Sequence, residues 1–240
     1  MSQRSIQILT VSRVTLPPLP QIPSPIKLSF FDSIWIGIPP IQRLMLYSNP
    51  NVTRSSQSLA ELLKSSLSAT LVDYLPLAGT LTHVPSTGDV EIDFSDLNVS
   101  FYEAEADFDI RRLRASEIHD VGSFKKLVPE IDVSVLPFPI FAVQVTRFKC
   151  GGIAVGYSVH HAAVDGKGLL QFVRAWTSTC RAKMHGVDFL VHKPSYDRVV
   201  IKHLKGEEMA REFFRNSTPN LPSAKLPPAQ EAKFQKSPLQ

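Results

Sequence analysis

The stretch from Phe141 to Trp176 constrains the fold of this chain more than any other part of its sequence. Apolar and polar side chains alternate from Phe141 to Phe148, which is the period of a β-strand with one buried face. A turn follows at Cys150-Gly151-Gly152, and a second strand is predicted from Ile153 to His160. Two strands joined by so tight a glycine turn form a β-hairpin. Apolar residues from Leu169 to Trp176 fall at helical spacing, so the predicted order is hairpin, connecting loop and helix.

The remaining predicted elements mix helices and strands. A helix is predicted from Ser56 to Tyr74, with Ser58 and Glu61 forming its capping box. A shorter amphipathic stretch runs from Glu207 to Phe214. Short segments with strand composition lie between turn residues; they are Ile6–Thr15, Ile26–Phe30, Leu77–Thr82, Val90–Phe94 and Val99–Tyr102.

This pattern predicts a mixed α/β fold with one domain over residues 1–183. The chain has 240 residues, of which 43% are hydrophobic, so it can bury a sizeable core. After Lys183 prolines recur and polar residues dominate. Residues 184–240 are therefore predicted to be a linker and tail that bury little apolar surface.

Composition argues against several classes of function. The formal net charge is only +4 and the basic residues are scattered, whereas nucleic-acid binding needs a clustered cationic surface. No apolar run reaches the length of a membrane span, and the N-terminus lacks a signal core. Cys150 and Cys180 are the only cysteines, which argues against a disulfide framework. We expect a cytoplasmic protein that binds neither nucleic acid nor membrane.

The candidate site is the segment from Ser158 to Gly168, which contains His160, His161 and Asp165. Neighbouring side chains on a strand point to opposite faces, so the two histidines are not expected to enter the same cleft. Ala154, Gly156 and Ser158 leave one face of the incoming strand unusually small. Such a face suits either the close approach of another backbone or a ligand channel.

Histidine at this strand end has the chemistry of a general base. Its ordinary pKa, near 6.5, leaves a neutral acceptor nitrogen at neutral pH. His161 could therefore take a proton from an alcohol as the oxygen attacks a thioester carbonyl. Asp165 could orient the loop through hydrogen bonds without touching the imidazole, and Gly166 and Gly168 would permit a sharp turn into the next helix.

Other interpretations of these residues are weaker. A metal site would need ligands at regular spacing, but the other histidines are scattered and adjacent ones diverge on a strand, so no metal is predicted. Ser158 lacks the G-x-S-x-G surroundings of a nucleophilic serine. Trp35 and Trp176 are interpreted as core residues rather than as a platform for a cofactor.

Three stretches of the sequence resemble one known family. The run His161-Ala162-Ala163-Val164-Asp165-Gly166 resembles the HxxxDG signature of the BAHD acyltransferases, plant enzymes that acylate alcohols and amines from acyl-CoA. Residues 28–44 and 73–79 resemble the N-terminal region of the same family. Within it, Phe30–Tyr47 and His160–Lys167 are most similar to the anthocyanin and phenolic-glucoside malonyltransferases.

The resemblance implies a chloramphenicol acetyltransferase-like domain, one of the two that the family normally has. It implies an acyl-CoA-dependent O-acyltransferase, here a monomer, that transfers a malonyl group to a phenolic or flavonoid glucoside. Malonyl-CoA is then a co-substrate, with no bound cofactor. His161 is implied to be the base and Asp165 a structural partner. Lys167, Gly166, Phe31 and Asp32 are predicted to contact substrate. Lys167 either offsets the malonyl carboxylate or is a solvated surface residue that caps the turn.

The resemblance stops before the family's second half. The second signature, DFGWG, is absent, and the last dozen residues depart from the family pattern. This predicts that the chain is an N-terminal half, truncated in its crossover linker and inactive alone. The alternatives are a non-catalytic remnant or phenolic-binding module of the same fold, and a peptide-synthetase condensation domain. The latter shares the HHxxxDG pattern, but the segments Phe30–Arg43 and Tyr74–Gly79 argue against it.

Overall fold

A computed structural model describes residues 5–47, 56–115, 121–149, 151–186, 193–198 and 203–224. The strands are β1 (Ile6–Thr15), β2 (Ile26–Lys27), β3 (Ile41–Tyr47), β4 (Thr80–Val84), β5 (Asp89–Asp93), β6 (Asn98–Ala106), β7 (Phe138–Pro139), β8 (Phe141–Phe148) and β9 (Ile153–Val159). The helices are α1 (Phe30–Ser33), α2 (Ser56–Leu71), α3 (Ile110–Ala115), α4 (Val121–Lys125), α5 (Gly166–His185) and α6 (Gly206–Ser217), with a 3₁₀ turn at Leu75–Ala78. The predicted mixed α/β class is confirmed.

The predicted hairpin lies inside a five-stranded sheet with the order β1-β6-β8-β9-β3. β6 and β8 are parallel, and the other neighbours are antiparallel. Gly151 and Gly152 adopt φ of 97° and 93°, the left-handed region in which glycine carries no steric cost. β8 has the predicted bounds, and β9 ends at Val159, one residue earlier than predicted.

A second sheet, with the order β2-β5-β4-β7, shares one apolar core with the first. Helices α2 and α5 pack against each other, and Trp176 joins them by donating from Nε1 to Ser66 Oγ at 3.0 Å. Trp176 is buried, as predicted for a core residue. Phe141, Phe172 and Leu67 are fully buried in the same core.

Two further strand boundaries and one predicted N-cap were wrong, each for a local reason. The strand predicted through Phe30 stops at Lys27, because Ser29 caps α1 and turns the chain into a helix. The strand predicted from Leu77 starts at Thr80, because a 3₁₀ turn with proline in its first turn precedes it. α2 begins at Ser56, so Ser58 lies inside the helix and is not its N-cap.

The small face of β9 is covered by backbone. Gly156 lies so close to residues 127–128 that a Cβ on it would stand 2.1 Å from the Leu127 carbonyl oxygen. Ser158 donates its hydroxyl to the Pro129 carbonyl two residues further along the same face. Of the two explanations for this face, the structure shows the approach of another backbone.

The described part of the segment after α5 packs against the rest of the domain. On α6, Ala210 and Phe214 are buried in the main core. Arg211 of the same helix donates from Nε to Asp89 Oδ1 at 2.6 Å, and Lys27 Nζ lies 3.1 Å from Asp89 Oδ2. Burial alone would raise the pKa of Asp89, but these charge-assisted hydrogen bonds lower it to about 2. The prediction that this segment buries little apolar surface was wrong for α6, and residues 225–240 lie outside the described residues.

Gly156→Ala should destabilise the domain, because its Cβ would force residues 127–129 away from β9. Overpacking of this kind costs about 1–3 kcal/mol of unfolding free energy, measurable by urea denaturation. Gly166→Ala is the matched control, since among the described residues a Cβ there would meet nothing within 4 Å apart from its chain neighbours and the backbone of its own helix. Equal stability of the two variants would contradict the packing described for β9.

Candidate functional site

A cleft of about 1030 Å³ opens where the loop after β9 meets α1 and the segment around Tyr196. The predicted site residues on its wall are His161, Asp165, Lys167, Phe31 and Asp32. The fold therefore brings together residues from the two sequence stretches that were singled out independently. Gly166 does not line this cleft. Trp35, Tyr74, Tyr196, Arg198 and Glu207 also contribute to the wall, and sequence reasoning had not placed them there.

His161 lies in the first turn of the loop that follows β9, and its side chain is half-buried. Its imidazole stacks on the indole of Trp35, with ring centroids 3.7 Å apart and ring planes 4° from parallel. Its Nδ1 is buried and has no hydrogen-bond partner among the described residues. Since the side chain faces the cleft, Nε2 is the nitrogen left to meet a ligand.

Trp35 is half-buried: it packs against the main core, as its interpretation as a core residue implied, and it also forms part of the cleft wall. It follows α1 directly, and its backbone N–H donates to the Asp32 carbonyl at 3.1 Å. No periodic pattern surrounds it, because α1 has only four residues. The sequence therefore lacked a signal for its position.

His160 has a different environment from its neighbour. It is fully buried beside Phe138, and its Nδ1 accepts a hydrogen bond from the Ala162 N–H at 3.3 Å. Burial lowers the pKa of His160 to about 4, so the ring is neutral at neutral pH. The two histidines do separate, but β9 ends before both of them, so strand alternation is not the reason. The turn of the loop separates them.

Asp165 is the N-cap of α5. Its Oδ1 accepts a hydrogen bond from the Gly168 N–H at 2.6 Å, and its side chain is exposed. A short polar side chain at this position satisfies one of the unpaired N–H groups of the first helical turn. No hydrogen bond joins Asp165 to the His161 ring in the part of the chain that the structure describes. The described contacts of Asp165 are those of a loop anchor.

The two glycines after Asp165 differ in their surroundings. Neither has a positive φ, so the sharp turn does not depend on their conformational freedom as predicted. Gly168 is needed for space, because a Cβ there would meet Val164 Cγ2 at 2.9 Å and Asp165 Oδ1 at 3.0 Å. Because Gly168 has no Cβ, its N–H can come close enough to the Asp165 carboxylate to form the short capping hydrogen bond.

Lys167 lies in the first turn of α5, exposed to solvent on the cleft wall. Its ammonium group has no ion-pair partner among the described residues, and the first turn contains no acidic residue. A cation at a helix N-terminus faces the positive end of the helix dipole. An anionic ligand at this position would be attracted both by the Lys167 ammonium group and by the positive end of the α5 dipole.

Asp32 and Arg198 form an ion pair on the wall of the cleft. Asp32 Oδ2 accepts hydrogen bonds from the Ser29 N–H and hydroxyl at 2.9 Å and 2.7 Å, which completes the capping box of α1. Arg198 Nε lies 3.5 Å from the same carboxylate, and its Nη2 donates to the Ala163 carbonyl at 3.2 Å. Arg198 thus links α1 to the loop that carries His161. Phe31, beside Asp32, is half-exposed at 52%.

Two further observations concern only the described residues. Among them, no group of three His, Cys, Asp or Glu side chains is arranged to hold a metal ion. No helix among them has both the length and the apolar character needed to cross a bilayer.

Comparison with known proteins identifies the family. The model of the Transferase family matches residues 8–238, which includes most of the last dozen residues that the sequence analysis set apart. The chain is 35% identical over 230 residues to the malonyl-CoA:anthocyanidin 5-O-glucoside-6''-O-malonyltransferase of Arabidopsis thaliana, covering 94% of this chain and 50% of that protein. It is 32% identical to phenolic glucoside malonyltransferase 2 of Arabidopsis thaliana, covering 84% of this chain and 47% of that protein. The chain spans about half the length of these curated relatives.

The fold has a counterpart among solved structures. The crystal structure of vinorine synthase superposes with a TM-score of 0.68 at 24% identity, covering 81% of this chain and 46% of that chain. This similarity confirms the predicted chloramphenicol acetyltransferase-like fold. The family match over residues 8–238 shows that the chain belongs to the Transferase family of BAHD acyltransferases.

Proposed function

We propose that this chain carries the proton-transfer site of an acyl-CoA-dependent O-acyltransferase, with His161 as the general base. The observation that carries the proposal is the placement of His161 on the wall of a large cleft, with one nitrogen buried and the other left for a ligand. The names of the relatives support malonyl-CoA as donor and a phenolic or flavonoid glucoside as acceptor.

The reaction follows from this placement. His161 Nε2 takes the proton of the acceptor hydroxyl while that oxygen bonds to the thioester carbonyl carbon. The C–S bond then breaks, and the proton passes from the imidazolium to the departing sulfur, so ester and CoA thiol are the products. His160 is neutral and buried, and it contributes by holding the Ala162 N–H that follows the base.

The cleft has the size and lining that two substrates require. Its volume of about 1030 Å³ lies at the upper end of the range for small-molecule sites. Aromatic side chains of Phe31, Trp35, Tyr74 and Tyr196 suit a phenolic ring, whereas Lys167 suits a carboxylate. Phe31 and Lys167 are therefore proposed as substrate contacts, and Asp32 acts by holding α1 and Arg198.

The organisation of the protein remains a proposal as well. We assign the site to the predicted domain over residues 1–183, with residues 184–240 as the linker segment. Helix α5 crosses this boundary, and Tyr196 and Arg198 reach back to the cleft. We further propose that the protein is a monomer in the cytoplasm.

The test measures acyl transfer by liquid chromatography and mass spectrometry, with malonyl-CoA and a panel of phenolic and flavonoid glucosides. The 240-residue chain is assayed alone and as a fusion to the unmatched remainder of the Arabidopsis anthocyanidin relative. Glucoside malonylation by either form supports the function. Saturable glucoside binding without transfer by either form would instead indicate a binding module.

His161→Ala should lower turnover of the active form by about 10²–10⁴-fold, the usual contribution of a positioned base. His185→Ala is the matched control, because His185 is exposed at the far end of α5, outside the cleft. Melting temperatures should stay close to that of the unaltered chain in both variants. Turnover within a fewfold of normal in His161→Ala would rule out its role as base.

Asp165→Ala should lower both stability and turnover, because α5 loses its N-cap. The expected loss is about 1 kcal/mol of unfolding free energy. Asp165→Asn keeps an oxygen that can accept from Gly168 N–H, and should restore stability and most of the turnover. Normal stability with abolished turnover in Asp165→Asn would point to a direct catalytic role for the carboxylate.

Lys167→Ala should weaken the use of malonyl-CoA far more than that of acetyl-CoA, because only the malonyl group ends in a carboxylate that needs a compensating charge. Lys167→Arg keeps the charge and should retain the preference. The measurement is the ratio of kcat/KM for the two donors. Equal losses with both donors would make Lys167 an ordinary surface residue of the first turn of α5.

A further inference from the structure

Among the residues that the structure describes, none is hydrogen-bonded to the second ring nitrogen of the proposed base to orient it. In most such sites a carboxylate or carbonyl accepts a hydrogen bond from the second ring nitrogen. Here Nδ1 of His161 is buried without a hydrogen-bond partner among the described residues. The nearest acidic residue in the loop, Asp165, is committed to the Gly168 N–H. The orientation of His161 must therefore come from another contact.

That contact is the indole of Trp35. Ring centroids 3.7 Å apart and planes 4° from parallel put the two rings face to face at van der Waals distance. Such a stack fixes the plane of the imidazole and prevents its rotation about the side-chain axis. One face of His161 is covered by Trp35, and the ring edge with Nε2 remains for the ligand.

We propose that Trp35 is a positioning residue for His161, one that orients the neutral imidazole and stabilises the imidazolium formed after proton transfer. The proposal rests on the proposed function of His161 as base. The face of an indole is the best aromatic partner for a cation within about 6 Å of its centroid. Trp35 thus takes the part that a carboxylate plays in a catalytic triad, without carrying a charge of its own.

Further contacts fix the position of Trp35 relative to His161. Its backbone N–H donates to the Asp32 carbonyl at 3.1 Å, and the Asp32 side chain faces Arg198. Arg198 then donates to the Ala163 carbonyl, two residues after His161. The same arginine thus contacts the segment that carries the indole and the segment that carries the imidazole, so the two rings cannot separate without breaking these bonds.

The first test observes the stack in the 240-residue chain by ¹H–¹³C NMR of the histidine rings. The His161 signals, assigned with His161→Gln, should be displaced upfield by the indole ring current. Trp35→Leu should remove this displacement, and Trp35→Phe should keep part of it. Trp176→Phe is the matched control, because it removes an indole from the core and lowers the melting temperature without touching the stack. Undisplaced His161 signals in the unaltered chain would overturn the proposal.

The second test separates positioning from substrate binding in whichever form transfers malonyl groups. Trp35→Leu should lower kcat by about three- to thirtyfold, the value of a partly desolvated cation–π contact, with little change in KM. Trp35→Phe should recover most of the loss. A raised KM with unchanged kcat would show that Trp35 is a surface for substrate and would overturn the proposal. If neither form transfers malonyl groups, the proposed function fails, while the NMR result still decides whether Trp35 orients His161.

Discussion

The site depends on a loop, residues 160–165, that is held at both ends. At its start the His160 N–H donates to the Ile140 carbonyl at 2.8 Å, next to the last paired residues of β9. At its end Asp165 caps α5 through the Gly168 N–H. Between these anchors the Ala163 and Val164 N–H groups bond back to the carbonyls of the two histidines. A short loop fixed in this way leaves His161 few alternative positions, as a preorganised base requires.

The sheet beneath the loop gives this anchoring its rigidity. β9 is paired on both sides, with β8 and with β3, and its small face is closed by the backbone at residues 127–129. On the opposite side of the loop, α5 is fixed against α2 through Trp176 and Ser66. Movement of the loop would therefore disturb a buried sheet or a buried helix pair, both of which are close-packed.

The sequence predicted the parts of this arrangement that depend on residues close together in the chain. The alternation from Phe141 to Phe148 and the two glycines after it specify a hairpin locally, and the structure has that hairpin. His161 and Asp165 were singled out because their short segment combines histidine, small residues and glycine at a strand end. Whether they have the predicted catalytic and structural roles remains for experiment.

The parts that could not be predicted depend on contacts between distant segments. Trp35 follows a four-residue helix with no periodicity, and only the folded chain brings it onto His161. Arg198 lies among polar residues of the predicted linker, and no local pattern marks it as a bridge to Asp32. Helix α6 was recognised as amphipathic, but its packing includes an ion pair of Arg211 with Asp89, a residue far away in the sequence that also pairs with Lys27.

The charged side chains of the cleft differ in whether they have partners. Asp32 is engaged by Ser29 and Arg198, and Asp165 by the Gly168 N–H. Lys167, without an ion-pair partner among the described residues, adds its charge to the positive end of the α5 dipole. A permanent negative charge is thus favoured at the first turn of α5. If His161 acts as proposed, the positive charge that forms on its ring lies against the neutral face of Trp35. An indole stabilises an imidazolium without adding a negative charge to a cleft that takes an anionic acyl group, which is a physical reason for such a base to stack rather than to form an ion pair.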